Sequence, residues 1–417
     1  MRARRAVALI AALIAGAGAT PTRGVPAFAA LSLAGAESTT IARDVSVQEA
    51  YAVVAQRSAL LHLARVRAYP HLVGDYSLSA QAGTTPNSTL EQHLLSVGAG
   101  ISLNDILASA QATRSAAGDV LASQRQADAA VLAARERAVR LYYGALSAVA
   151  LETFRAAELA GALRDRNAAA LRARSGEAPE LDVIRADVTL EQARADLALA
   201  AAQRVDAIGA LASATGVEAA SLATITTEPG PPATRGGVDA YVSRALAQRP
   251  EIAALMALVA ARRADVSLAK QSALPSVTAS GGVQGGADTG QPIHGSVAGV
   301  HVDLPLGSPA SSNTQIARAQ FDAVSAQLID VRRTIALEVA AAFGDAHAAD
   351  ASAQAAAAAS EQAARALRAV ELGYREGASS SLDVADARRT YVQASVNAVV
   401  AEYLRAQAHA ILEVIVP

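Results

Sequence analysis

The chain has 417 residues, a formal net charge of -2, no Cys, no Trp and 52% hydrophobic residues. That length allows two or three domains, and the near-neutral balance gives no reason to expect nucleic acid as a partner. With no Cys, a disulfide framework and an acylated N-terminal Cys are both excluded.

The first element is a leader. Arg2, Arg4 and Arg5 precede an apolar run from Ala6 to about Ala19, and Ala27-Phe28-Ala29 supplies small residues flanking a cleavage point. This is the pattern of a secretory signal peptide covering residues 1–29. The first repeat (30–216) then opens with a helical pattern from Val45 to Arg67. Leu72–Gln81 and Leu94–Leu103 read as strands about ten residues long, joined by the turn-rich Gly83–Ser88, so 72–103 is a β-hairpin. From Asp105 to about Arg174 there is no Pro, and a helix of that size extends about 100 Å, beyond any ordinary globular domain. Gly176 and Pro179 punctuate it, and a partner helix returns from Leu181 to about Thr215, which completes a helix pair over 105–215.

Residues 217–237 are a Pro/Gly/Thr-rich linker, and the second repeat (238–417) replays the order. One helix is expected from Val238 to Lys270. Strands follow at Val277–Gln284 and Ser296–Leu304 around a Gly-rich loop, making a hairpin over 277–304. Ser308–Thr314 reads as a connection. A long helix pair spans 315–414, with its turn at Gly377–Ser380 and a seam of Val392, Val396, Val399 and Tyr403 at 4-3-4 spacing. The span from Val47 to Pro70 is shorter than that from Val238 to Pro275, so the first opening helix reads as truncated. Gly176, Leu181, Asp182 and Leu211 align with Gly377, Leu382, Asp383 and Leu412 at a constant offset of 201 residues (377 − 176).

The fold class is therefore mainly α with a small β part, built as long antiparallel helical hairpins plus two β-hairpins per chain. Four strands cannot close a barrel, and open edges are not tolerated in hydrocarbon, so membrane-spanning strands require several chains to pool them. Three copies give a shared twelve-stranded β-barrel, with the helices continuing as an α-barrel. The seven His residues are dispersed and read as surface or loop residues, and no HExxH, GxSxG or phosphate loop is present. No enzyme, cofactor or metal site is expected. The rival reading is a secreted periplasmic helical scaffold without channel activity.

The chain resembles the TolC-like outer-membrane efflux proteins of Gram-negative bacteria. The resemblance rests on two copies of G-x4-LD-V (Gly176–Val183 and Gly377–Val384), on Ala247–Ile252 (AQRPEI), on Leu274-Pro275 leading into a strand, and on Val302–Leu306 (VDLPL). It implies a homotrimer whose β-barrel sits in outer-membrane lipid and whose helical barrel lies in the periplasm. It also implies docking to a periplasmic adaptor and an inner-membrane transporter, the chain acting as a passive gated exit duct for drugs, metal ions or similar cargo. It further implies an aperture at the helical tips carrying Asp182, Asp383, Asp386 and Tyr374. Stacked carboxylate rings there would favour cations. Asp182 and Asp383 also read as first-turn residues that meet a helix N-terminus, and both readings stand. The tip turns Gly176, Glu177, Ala178, Gly377, Ser379 and Ser380 are the implied adaptor contacts. Some relatives have an Arg locking the gate at the position of Ser379, so the resemblance implies a lock here that is rebuilt, with Arg375 and Arg174 nearby, or weaker.

Overall fold

The computed structural model describes residues 31–67, 69–82, 89–219, 236–271, 274–288, 291–303 and 310–416. The expected signal peptide, the Gly83–Ser88 loop, most of the 217–237 linker and the start of the Ser308–Thr314 connection lie outside the described residues.

Each half opens with a short helix and a longer one. These are α1 (Leu33–Arg43, 11 residues) with α2 (Val45–Val66, 22 residues), and α5 (Val238–Gln248, 11 residues) with α6 (Pro250–Gln271, 22 residues). The expected truncation of the first half is thus corrected, because α1 precedes Val45 and supplies the missing turns. The single helix expected from Val238 to Lys270 is also corrected. Pro250 has no N–H to continue the α5 ladder, and it pushes Arg249 into extended backbone with ψ 126. Asp44 makes the corresponding break by other means: its backbone is extended, and its carboxylate accepts the Ser46 N–H at 2.9 Å to cap α2.

Strands β1 (His71–Ala82) and β2 (Thr89–Ser102) lead into α3 (Leu103–Arg174), a 72-residue helix about 108 Å long. It turns into α4 (Glu180–Thr215). In the second half β3 (Ser276–Asp288) and β4 (Gln291–Asp303) precede α7 (Ala310–Arg375), which turns into α8 (Ser381–Ile415). Helices α3 and α7 run the full length. Both α2 and α4 pack on α3, while α6 and α8 pack on α7 and also touch α3. Since α2 adjoins the sheet and α4 starts at the far tip, the two lie one beyond the other along α3. Near the sheet the lateral order is α2–α3–α6–α7; near the tips it is α4–α3–α8–α7. Between these levels α1 packs on α3 and α5 on α7, and the main core gathers there around Val139, Tyr142, Leu211, Val339, Ile411 and Leu412. The seam residue Val396 is buried, with Val392, Val399 and Tyr403 partly so. By length and composition α4 could cross a membrane, but it packs along α3 as a stave, and only 17% of its most apolar window is buried.

The sheet is fully antiparallel, in the order β1-β2-β3-β4, so β1 and β4 present unpaired edges within the chain. Directly opposed residues share a face, and the register separates two surfaces. One carries Leu72, Tyr76, Leu95, Val97, Val283, Val300 and Val302, all exposed, with Leu72 at 80% and Val300 at 70%, and has His294 and Ser296 as polar exceptions. The other carries His71, Ser77, Ser96, Thr278, Ser280, Gln284, His301 and Asp303, with Leu94 and Val297 as apolar exceptions. A mostly apolar face backed by a mostly polar one is the alternation found in the wall of a membrane barrel.

The Gly-rich stretch expected as a loop between Gln284 and Ser296 falls partly in β3, which runs on to Asp288, and partly in β4, which starts at Gln291. Gly98 faces Gly282 across the β2–β3 ladder, and a Cβ on Gly282 would lie 2.5 Å from the Val97 carbonyl oxygen and 2.6 Å from Gly98 Cα. The two backbones meet too closely there for any side chain. The glycines therefore mark close strand approach, and all four strands exceed their expected lengths.

Candidate functional site

The two helical turns at the end remote from the sheet are built alike. In the first, Gly176 (φ +76) sends its N–H to the Ala173 carbonyl at 3.2 Å, and Glu177 N–H reaches Arg172 O at 2.9 Å. In the second, Gly377 (φ +77) donates to Tyr374 O at 3.2 Å, and Ala378 N–H reaches Gly373 O at 2.7 Å. Both are Schellman turns, which satisfy the last carbonyls of the arriving helix and need a residue comfortable in the left-handed region. Ser379 is folded against α7, where a Cβ on Gly373 would come within 2.6 Å of its Oγ.

The returning helices start differently. Pro179 caps α4 without a side-chain bond, whereas Ser380 and Asp383 form a reciprocal capping box on α8. Ser380 Oγ accepts the Asp383 N–H at 3.2 Å, and Asp383 Oδ2 accepts from Ser380 N and Oγ, each at 2.8 Å. The bond from the Ser380 N–H, reinforced by its hydroxyl, holds the Asp383 carboxyl below its ordinary value in full solvent. Asp383 is thus an anionic cap at an exposed tip. Asp386, one turn on and exposed, pairs with Arg389 of its own helix. Asp182, partly buried in the first turn of α4, lies 3.7 Å from Arg185.

Tyr374 is held from the other half of the chain. Arg172 of α3 donates to its hydroxyl at 3.0 Å and lies over its ring at 5.3 Å from the centroid. This contact ties the first tip, with Glu177 and Ala178, to the second, with Ser379 and Ser380. It does not bring Asp182 beside Asp383.

Sequence reasoning missed a further array. On α3, Asp165 and Arg166 are adjacent, so they point roughly 100° apart toward different neighbours. Arg166 meets Asp187 of α4 at 2.8 Å, while Asp165 pairs with Arg388 of α8. Arg388 also bonds Glu371 of α7 at 2.6 Å, and its partial burial lowers its pKa. Four helices are therefore laced at one level. Asp187 and Arg388 each lie eight residues past the helix starts Pro179 and Ser380, about 12 Å from the tips. The available signal was the reversal of charge between Asp187 and Arg388, which occupy equivalent repeat positions at the 201-residue offset (388 − 187). Among the described residues no group of three or more His, Asp or Glu is placed to hold a metal ion.

The sequence pattern of one family, described as outer membrane efflux protein, matches residues 37–217 and 241–416, which are the two halves seen in the fold. The chain belongs to the outer membrane efflux protein family. It is accordingly a mainly helical channel protein of the Gram-negative outer membrane, with a small antiparallel β part. Protein CyaE of Bordetella pertussis is 29% identical over 339 residues, covering 78% of this chain and 71% of that one. Outer membrane protein TolC of Vibrio cholerae is 27% identical over 294 residues, covering 67% of each. In fold, the open state of the Neisseria gonorrhoeae MtrE outer membrane channel matches with a TM-score of 0.76 at 21% identity, covering 93% of this chain and 89% of that one.

Proposed function

We propose that three copies of this efflux protein close a twelve-stranded barrel in the outer membrane and continue inward as a helical tube. The tube docks at its tips to a periplasmic adaptor and an inner-membrane transporter. The observation that carries this is the sheet: one face is apolar, and both edges are open in a chain with no further strand among its described residues to cover them. In hydrocarbon each unpaired edge group is costly, and head-to-tail pairing of β4 with β1 of the next copy removes every edge. A periplasmic scaffold has no use for an outward apolar face.

Within this reading the chain is a passive, gated duct for small molecules. The lacing from Asp187 to Glu371 and the Arg172–Tyr374 bond hold the tips together, taking the place of a lock at Ser379. Asp383 and Asp386, repeated by threefold symmetry, give the aperture a negative lining that concentrates cations. Asp182 adds to that field from the first tip. Glu177, Ala178, Ser379 and Ser380 are offered to the adaptor.

Because the chain has no Cys, paired cysteines test the closure cleanly. Leu72→Cys and Val300→Cys lie on the same outward face of opposite edge strands, and scanning their neighbours covers the unknown register. Oxidation is expected to give covalent dimers and trimers from edge-to-edge pairs. Edge pairs that stay monomeric while an internal pair such as Val283→Cys with Ser296→Cys forms would overturn the shared barrel.

A further inference from the structure

The mostly apolar face of the sheet runs to the end where the helices begin. Leu72 is the second residue of β1 and Val302 the second-last of β4, both exposed, while the polar exceptions His294 and Ser296 lie in the hairpin half of β4. A membrane-spanning strand needs about 9–11 residues, and these strands have 12 to 14. On the membrane-barrel reading above, the hydrocarbon therefore ends at the junction of strands and helices, and the helix ends stand in the headgroup layer. Those ends are basic. The twenty residues flanking the outer end of each strand (51–70, 103–122, 256–275 and 304–323) hold eight Arg or Lys and four Asp or Glu. That is an excess of four (8 − 4) in a chain whose formal net charge is -2. Arg57 and Arg262 pair with Asp119, Arg262 also with Asp265, and Arg263 lies over the Phe321 ring. Arg65, Arg67, Arg114, Lys270 and Arg318 are exposed and enter no ion pair among the described residues. Threefold repetition multiplies this excess, so a second copy does not neutralise it.

Reach separates these five cations. Arg114 is 12 residues past Ser102 (114 − 102), about 18 Å along α3, and Arg318 is 15 past Asp303 (318 − 303). Both lie beyond a Debye length of about 8 Å, where salt screens them from the membrane. Arg67, Arg65 and Lys270 are four, six and six residues before the first residues of β1 and β3 (71 − 67, 71 − 65, 276 − 270). Their long side chains can lay the stem along apolar surface and present the charge to a headgroup. At the same level stand Tyr69, 67% exposed, and the exposed Leu274. A phenol with a basic neighbour is the combination that settles at a membrane–water interface. We infer that Arg65, Arg67 and Lys270 form a collar that binds the phosphate groups of anionic phospholipids in the leaflet next to the helices. The charges are complementary, the collar is continuous with the barrel wall, and guanidinium and phosphate form charge-assisted hydrogen bonds. The collar thus selects the lipid around the duct and fixes the depth at which the barrel sits.

The test compares the full-length protein with Arg65→Gln/Arg67→Gln/Lys270→Gln and with the control Arg332→Gln/Arg333→Gln. The control removes exposed charges about 33 Å past the start of α7 (332 − 310). Each protein is reconstituted in vesicles of phosphatidylethanolamine with one-fifth phosphatidylglycerol and recovered in mild detergent, and the retained lipid is counted by headgroup. Phosphatidylglycerol is expected to be enriched about fivefold over its share of the vesicle for wild type and control. That factor corresponds to about 1 kcal/mol for one cation at an anionic surface. The collar variant should retain lipid in the vesicle's own proportions. Equal enrichment in all three proteins, or none in the wild type, overturns the collar. Enrichment erased by inorganic phosphate but not by sodium chloride of equal ionic strength assigns the site to a free anion and overturns it too. Protein that alkaline carbonate extracts from the vesicles contradicts the membrane barrel instead. Flotation of that protein with phosphatidylglycerol vesicles but not phosphatidylcholine vesicles, lost in the collar variant, then still decides the collar.

Discussion

Arg249, buried at 5% exposure, makes a forked bond to Glu338, with Nη2 at 2.7 Å from each carboxylate oxygen, and lies 3.6 Å from Glu251. In the first repeat Asp44 pairs with Arg137 and caps α2 by accepting the Ser46 N–H. Arg137 and Glu338 are equivalent at the 201-residue offset (338 − 137), and Asp44 and Arg249 both sit at the break between a short and a long helix. The two halves therefore contain one ion pair with its polarity reversed. Glu338→Ala leaves a buried guanidinium with only the weaker 3.6 Å ion pair to Glu251. Loss of a buried partner costs about 3–5 kcal/mol, and because Glu338 is 41% exposed about 2–4 is the better figure. For a chain this long that lowers the melting temperature by about 2–6 °C. The triple variant Arg249→Asp/Glu251→Ser/Glu338→Arg rebuilds the first repeat's arrangement and should return to within about 2 °C of wild type. Circular dichroism at 222 nm in detergent follows both. A triple variant no more stable than Glu338→Ala would refute the equivalence, and an unshifted Glu338→Ala would show that the pair is idle.

Gly282→Ala drives a Cβ into the Val97 carbonyl and should abolish the heat-resistant trimer on gels, whereas Gly299→Ala, with nothing within 4 Å, should leave it intact. Arg388→Ala unlaces α8 from α3 and α7 and should raise channel opening in bilayers, while Arg389→Ala, whose partner Asp386 is on its own exposed helix face, should not. Asp44→Asn should cost about 1 kcal/mol at pH 7 by loss of a charged cap and its Arg137 partner. Hydrogen bonding by the Ser46 hydroxyl depresses the Asp44 pKa below the ordinary carboxylate range, so its contribution is full above that range and is lost as pH falls through the lowered value. Melting curves of wild type and Asp44→Asn should therefore converge only below about pH 4.

The long helices and their order were legible because their cause is local. Ala-rich stretches free of Pro, punctuated at Gly176 and Gly377, leave the backbone few other choices. Strand lengths were underestimated because Gly285 and Gly286, which continue β3 past the expected end at Gln284, look like loop residues in the sequence. The break at Arg249 was written in Pro250, whereas the matching break at Asp44 depends on a side-chain cap that resembles any other polar residue. At the tips, the left-handed glycines and the acidic first turn could be read from spacing. The Arg388–Asp165 and Arg172–Tyr374 pairs could not, because each joins helices more than 150 residues apart in sequence. His409, read as a surface residue, is buried by helix packing, with Asp350 of the neighbouring helix 59 residues away as its partner.

The central claim is that this chain is a gated duct whose aperture lies at the tips. Bilayer conductance of the detergent-purified wild type beside Asp383→Ala/Asp386→Ala tests it most directly. Discrete, cation-favouring steps in the wild type, with selectivity reduced in the variant, are predicted. Folded trimer that inserts but stays silent, or steps whose selectivity ignores both aspartates, would contradict it.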